Sequence, residues 1–355
     1  MYLDELLKAV VDNGGSDLHL AVGVVPKIRL HGHLADVGTQ TLNEDVIKEC
    51  LKRSLTEDQV RTLVKSFDVD GLYFNPAIGR FRVNAFKQMG TYSLVFRHVP
   101  TRIATLDDLG LPPVLKKLAG SQRGIVLVTG TTGSGKSTTL AAMIDYINTN
   151  ECCNIITIED PVEFVHVSKN SVIRQRSLGS DVATFSAALK GAMRQDPDVI
   201  LVGEMRDLET ISAAVTAADT GHLVFSTVHT TNAQQTVERI MNYYAADQQD
   251  QIRLSLSLNL SGVISQRLIP RRDGGGRVAA LEIMTATPTV RKLIREGQVP
   301  KLYPTIEEGT NDGMQSFNQV IYRFFADGLI THEEALAASS RPEELQLRLK
   351  VEGLV

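Results

Sequence analysis

The apolar run Ile125–Thr129 (IVLVT) leads directly into GTTGSGKST, Gly130 to Thr138. Gly130, four residues, then Gly135-Lys136-Ser137 is the spacing of a nucleotide-binding P-loop, set between a strand and a helix predicted from Ser137 to about Asn148. The pattern constrains the fold strongly. A short strand apolar on both faces needs cover on both faces, and a loop that tight must deliver the chain straight into a helix. The glycines let successive N–H groups turn inward around a phosphate at the positive end of that helix. Gly130, Thr131, Thr132, Gly133, Ser134, Gly135, Lys136, Ser137 and Thr138 are therefore the expected cradle. Lys136 would reach the β- and γ-phosphates and the Ser137 hydroxyl would hold Mg²⁺, so ATP and Mg²⁺ are the implied ligands.

IITIE, DVILVG and HLVFSTVH repeat the apolar-strand pattern between helical stretches, and VAALEIM reads as one more strand. The expectation is an α/β domain with a parallel sheet. Ligands of such sheets bind beyond the carboxyl ends of the strands. IITIEDPVEF places Glu159, Asp160 and Glu163 there, and DVILVGEMRD places Glu204 and Asp207 on the same edge. One carboxylate would hold the metal through water and another would orient and deprotonate the attacking water. Glu159 and Asp160 read equally well as turn residues. His222 and His229 stand at the two ends of one strand; at the carboxyl end, His229 could report the presence of a γ-phosphate. His31 and His33 lie two apart without a supporting ligand pattern and read as structural.

Residues 1–99 have a different grammar, an α+β domain. A helix from Tyr2 to Val11 precedes SDLHLAV and KIRLHGHLADV, each alternating at the period of a half-buried strand. Helical stretches from Asn43 to Ser66 follow, then a three-strand meander with turns at Asn75-Pro76 and Met89-Gly90. This meander carries Arg80, Arg82 and Arg97. Residues 100–113, bracketed by Pro100 and Pro112-Pro113, read as a linker, 114–285 as the nucleotide-binding core and 286–355 as a helical tail.

Composition narrows the function. The 37 basic and 41 acidic side chains leave a net charge of −4, with 5% aromatics and no Trp. A motor gripping nucleic acid wants a basic groove and stacking aromatics, so no nucleic acid is expected. No apolar run approaches the roughly 20 residues of a membrane span, and MYLDELLKAV lacks the basic start of a secretory leader. Cys50, Cys152 and Cys153 form neither a disulfide framework nor a zinc pattern, as in a reducing compartment.

The order P-loop, IEDPVEF, DPDVILVGEMRD, TGHLVFSTVHTT resembles the type II/type IV secretion ATPase superfamily, with its Walker A, Asp box, Walker B and His box. SDLHL and RFRVN look like that family's N-terminal PAS-like domain, in front of a RecA-like core. LIRE (Leu293–Glu296), GMQSFNQ and GLIT look like the C-terminal helical region of the pilus retraction branch. The extra N-terminal region and four-cysteine zinc site of the extension and secretion branches have no counterpart in the chain. The resemblance implies a PilT-type retraction ATPase: a Mg²⁺-dependent homohexameric motor of twitching motility, cytoplasmic and peripheral at the inner membrane. Its implied partners are a membrane-embedded pilus platform protein and a paralogous retraction ATPase. By position it makes Glu204 the Walker B acid, Glu163 the favoured general base, His229 a sensor, and Arg82 and Arg97 arginine fingers; the two carboxylate roles could be exchanged. An accessory retraction ATPase of PilU type shares most of these motifs. The chain departs from the pattern at Lys190, Gln195 and Arg291-Lys292, where arginine, an acid and Ala-Gly are usual.

Overall fold

The computed structural model describes residues 2–30, 32–99 and 102–355. His31 and Pro100 lie outside them. The chain divides into two compact units, one ending at Arg102 and the other starting at Ile103.

The first unit is a six-stranded antiparallel sheet backed by three helices. Its strands are β1 (Asp17–Ala21), β2 (Lys27–Leu30), β3 (His33–Asp36), β4 (Asp68–Asn75), β5 (Gly79–Gln88) and β6 (Thr91–Val99), in the order β3-β2-β1-β6-β5-β4. Alternation drives it: Leu18, Leu20, Phe81, Val83, Ala85, Leu94 and Phe96 pack against helices Tyr2–Asp12, Glu44–Ser54 and Glu57–Ser66. Asn43 and Thr56 cap the second and third helices through their side chains. The meander turns where the sequence places them. Met89 and Gly90 both have positive φ, the requirement of a two-residue turn matched to strand twist. KIRLHGHLADV, expected as one strand, is instead the hairpin β2–β3: Gly32 takes φ +90°, which breaks the alternation. His33 is exposed on β3.

The second unit is the expected α/β layer structure. Its strands are β7 (Gly124–Thr129), β8 (Asn154–Glu159), β9 (Val172–Ser177), β10 (Val199–Val202), β11 (Leu223–Val228), β12 (Leu260–Pro270) and β13 (Arg277–Thr285). The order is β13-β12-β7-β11-β10-β8-β9; β13 is antiparallel to β12 and the other neighbours are parallel. β7, β10 and β11 are buried at every position, as strands covered on both sides must be. Ile125, Leu127, Ile158, Ile200 and Val224 belong to one hydrophobic cluster, and Val126, Val128, Ile155, Leu201 and Phe225 to another. Leu106 and Leu111 are buried in the second cluster. Beyond β13 the chain is helical, and Phe317, Ile321, Leu345 and Leu349 close a smaller core against Ile269 and Ala280. Because β7, β8, β10 and β11 are parallel, their carboxyl ends share one edge of the sheet.

Candidate nucleotide-binding and hydrolysis site

The loop between β7 and helix Lys136–Asn150 is shaped by three glycines, Gly130, Gly133 and Gly135, at φ +146°, +78° and +90°. Only glycine takes such angles without strain, and space forbids more at two of them. A Cβ on Gly130 would fall 2.5 Å from both the Gln266 carbonyl and Ser134 Oγ; on Gly135 it would fall 2.6 Å from Gln266 Nε2. Gln266 lies on β12, buried, and its Oε1 accepts from Thr139 Oγ1 at 2.7 Å. Beside it, Thr129 Oγ1 donates to Ser265 Oγ at 2.9 Å. The neighbouring strand thus braces the loop from below. Ser134 Oγ is buried without a hydrogen-bond partner among the described residues, while Thr131, Thr132, Gly133 and Ser137 are exposed and Thr138 is half-buried.

Lys136 Nζ donates to the carbonyls of Gly130 and Thr131, both at 2.9 Å. Burial pushes its ammonium below the ordinary lysine range, and Glu204, then Glu163, oppose that shift. The loop lysine and the two expected catalytic carboxylates therefore share one electrostatic site.

Glu204 follows β10, with Arg206 Nε at 2.7 Å from its Oε2 and His229 Nε2 at 3.4 Å from its Oε1. Arg206 also stands 3.9 Å from Asp160. The hydrogen bond from Arg206 to Glu204 is what raises the arginine's pKa most. Asp207, on the same segment, is the N-cap of helix Leu208–Asp219: it accepts from the Thr210 N–H at 2.8 Å. That is a structural task. His229 stands at the carboxyl end of β11 against Glu204. His222 precedes the same strand at the opposite sheet edge, where its Nδ1 lies 2.8 Å from the Ala217 carbonyl and 3.1 Å from Thr220 Oγ1. It fastens a helix end.

Glu159 closes β8. Its Oε1 accepts from Thr157 Oγ1 at 2.6 Å and from Gln175 Nε2 at 3.3 Å. Desolvation raises its pKa, against these hydrogen bonds and one from the Glu163 N–H. Glu163 itself is exposed on the loop after β8.

Arg82 and Arg97 belong to the first unit, opposite each other in the β5–β6 register. Arg97 Nε donates to Asp17 Oδ1 at 2.8 Å while its side chain stays 65% exposed, leaving the rest of the guanidinium to other partners. Burial works against Asp17, yet hydrogen bonds from Ser16 and Arg97 hold its pKa below the ordinary value. Arg80 Nε is buried without a hydrogen-bond partner among the described residues.

Sequence reading missed Gln266, Arg206 and Gln175. Arg206 was visible in GEMRD; the other two come from strands with no motif.

The sequence profile of the type II/IV secretion system protein family matches residues 71–336. The chain belongs to that family. It is 45% identical over 343 residues to the type IV pilus retraction ATPase PilT of Pseudomonas aeruginosa, covering 97% of this chain and 99% of that one. The type IV pilus ATPase PilU of the same organism is 41% identical over 351 residues, covering 99% of this chain and 92% of that one. The crystal structure of the pilus retraction motor PilT with bound ADP superposes with a TM-score of 0.92 at 42% identity, covering 97% and 99% of the two chains. Within the family the chain is an ATP-hydrolysing enzyme of the PilT retraction type: its identity to PilT is higher, and it spans more of PilT's length than of PilU's.

Proposed function

We propose that the chain is a Mg²⁺-dependent ATPase that works as a homohexameric ring and retracts type IV pili, driving twitching motility. One observation carries the reading: the charges of Glu204 and Glu163, from the loops that follow two neighbouring strands, reach Lys136 at the carboxyl edge of the sheet, beside a loop shaped by Gly130, Gly133 and Gly135. The positive φ of Gly130, Gly133 and Gly135, just before a helix N-terminus, lets the loop turn its N–H groups inward, which suits an oxygen-rich anion held close to backbone.

In this reading Gly130 to Thr138 cradle the phosphates and Lys136 turns from the loop carbonyls to the β- and γ-phosphoryl oxygens. Ser137 offers a hard oxygen donor of the kind Mg²⁺ prefers, and Glu204, its oxygens held by Arg206 and His229, would meet the ion through water; bound there, the ion would neutralise phosphate charge. Glu163 takes a proton from water as its oxygen attacks the γ-phosphorus in line and the bond to the bridging oxygen of ADP breaks. Glu204 suits the base role less, since Arg206 and His229 already occupy its two oxygens. That contact also supports His229 as the sensor, relaying γ-phosphate loss to Glu204. Arg82 and Arg97 act as arginine fingers in the assembled ring, with Asp17 steadying Arg97.

The ring works at the inner-membrane face against a platform protein of the pilus machine; no described helix is long and apolar enough to cross a membrane. A second reading, an accessory retraction ATPase acting beside a paralogue, draws on the end-to-end similarity to PilU.

Lys136→Ala and Glu204→Ala should each reduce phosphate release to background with an unchanged circular dichroism spectrum. Glu163→Gln should lower kcat by about 10²–10⁴-fold, the usual worth of a positioned base. Substantial hydrolysis by either alanine variant overturns the site assignment.

A further inference from the structure

The loop that carries Glu163 is held by β9, an edge strand outside every motif. Val162 N–H donates to Ser177 Oγ at 3.2 Å. Two residues on, the Phe164 carbonyl accepts from Gln175 Nε2 at 2.7 Å, and two further on, His166 N–H donates to Gln175 Oε1 at 2.8 Å. Gln175 Nε2 also reaches Glu159 Oε1, at 3.3 Å. Glu159 in turn accepts from the N–H of Glu163 and from Thr157 Oγ1. The parallel register puts Gln175 beside Thr157 and Ser177 beside Glu159, so these partners lie two rungs apart on one face of the sheet.

We propose that Gln175 is a positioning residue for the hydrolytic step: its amide clamps the backbone on the far side of Glu163 while Glu159 fixes Glu163's own N–H. The proposal rests on the reading of Glu163 as the base. A neutral amide suits the task because it donates and accepts at once. An ionised glutamate has no donor for the Phe164 carbonyl, and lysine has no acceptor for the His166 N–H. A base must stand within hydrogen-bond reach of the attacking water, and a displacement of about 1 Å costs on the order of 10²-fold in rate. None of the Gln175 hydrogen bonds described above goes to residues 130–138. A clamp on Glu163 should therefore change turnover and spare nucleotide affinity, whereas a general packing role would degrade both.

The test uses the full chain and the near-isosteric Gln175→Met, which lacks both ends of the amide. Phosphate release gives kcat and KM, and a fluorescent ADP analogue gives nucleotide affinity. The expected result is a kcat lowered by about 10- to 100-fold with ADP affinity within about twofold of wild type. In a Glu163→Gln background the same substitution should lower the residual rate by less than about twofold, because the group it positions is already gone. Should Gln175→Met fold poorly by circular dichroism, Gln175→Glu keeps the side-chain length and should show the same split. An unchanged kcat, a parallel loss of ADP affinity, or a full loss persisting in the Glu163→Gln background overturns the clamp. Failure of the clamp is separable from failure of the base: inactive Glu163→Gln beside fully active Gln175→Met removes only the clamp, while fully active Glu163→Gln removes the base and the clamp with it.

Discussion

Gly135 ends the phosphate loop in the left-handed region, with Gln266 Nε2 where a methyl would go and Leu268 Cδ1 at 3.7 Å. Gly135→Ala should therefore both strain the backbone and push Gln266 off Thr139. The expected destabilisation is about 1–3 kcal/mol by urea unfolding, the usual cost of a non-glycine residue held at such an angle. It should come with a clear loss of ADP-analogue affinity; wild-type stability and affinity together would show that the loop is not so tightly braced. At this scale the sequence was legible where chemistry repeats a spacing. Gly130 to Thr138, Glu163, Glu204 and His229, the residues of the proposed site, stand out by position after apolar strands. Their supports do not. Gln266 and Gln175 matter because β12 lies beside β7 and β9 beside β8, pairings no local pattern encodes. Asp207 and His222 show the converse: right residue types at strand ends, spent on capping a helix and fastening a turn.

Among elements, the apolar strands β7, β8, β10 and β11 were readable because burial on both faces leaves a continuous hydrophobic run. β9 escaped because it is an edge strand carrying Arg174, Gln175 and Arg176. β12 escaped because its run is broken by Ser261, Gly262, Ser265, Gln266 and Arg267; of these, Ser265 and Gln266 work at the loop and Arg267 at the helical tail. β13 hides a further feature. Glu282 is 1% exposed, its Oε1 accepting the Ala233 N–H at 2.8 Å at the start of helix Ala233–Asn242. Burial raises its pKa to about 7, against the Ala233 hydrogen bond and the Arg267 charge. The folded chain thus keeps a proton that the unfolded chain, titrating at 4.5, releases. Stability from this group is complete below pH 4.5 and is lost as pH rises toward about 7. Glu282→Gln should match wild type near the acid end of that window and exceed it at pH 8 by up to about 3 kcal/mol. Urea unfolding of both proteins across the window measures this; a pH-independent difference would contradict it.

For the whole molecule, the sequence carried the family through the order of four motifs, and the fold through alternation in one half and apolar runs in the other. It could not show which side chains support the proposed catalytic ones. At this scale we propose an ATPase whose sites are completed by neighbouring subunits through Arg82 and Arg97. The most direct measurement is steady-state phosphate release per subunit against protein concentration, with and without single-stranded DNA. Specific activity should climb as subunits assemble, reach a plateau and ignore DNA. Activity per subunit independent of concentration down to the monomer, or strong stimulation by DNA, would contradict it.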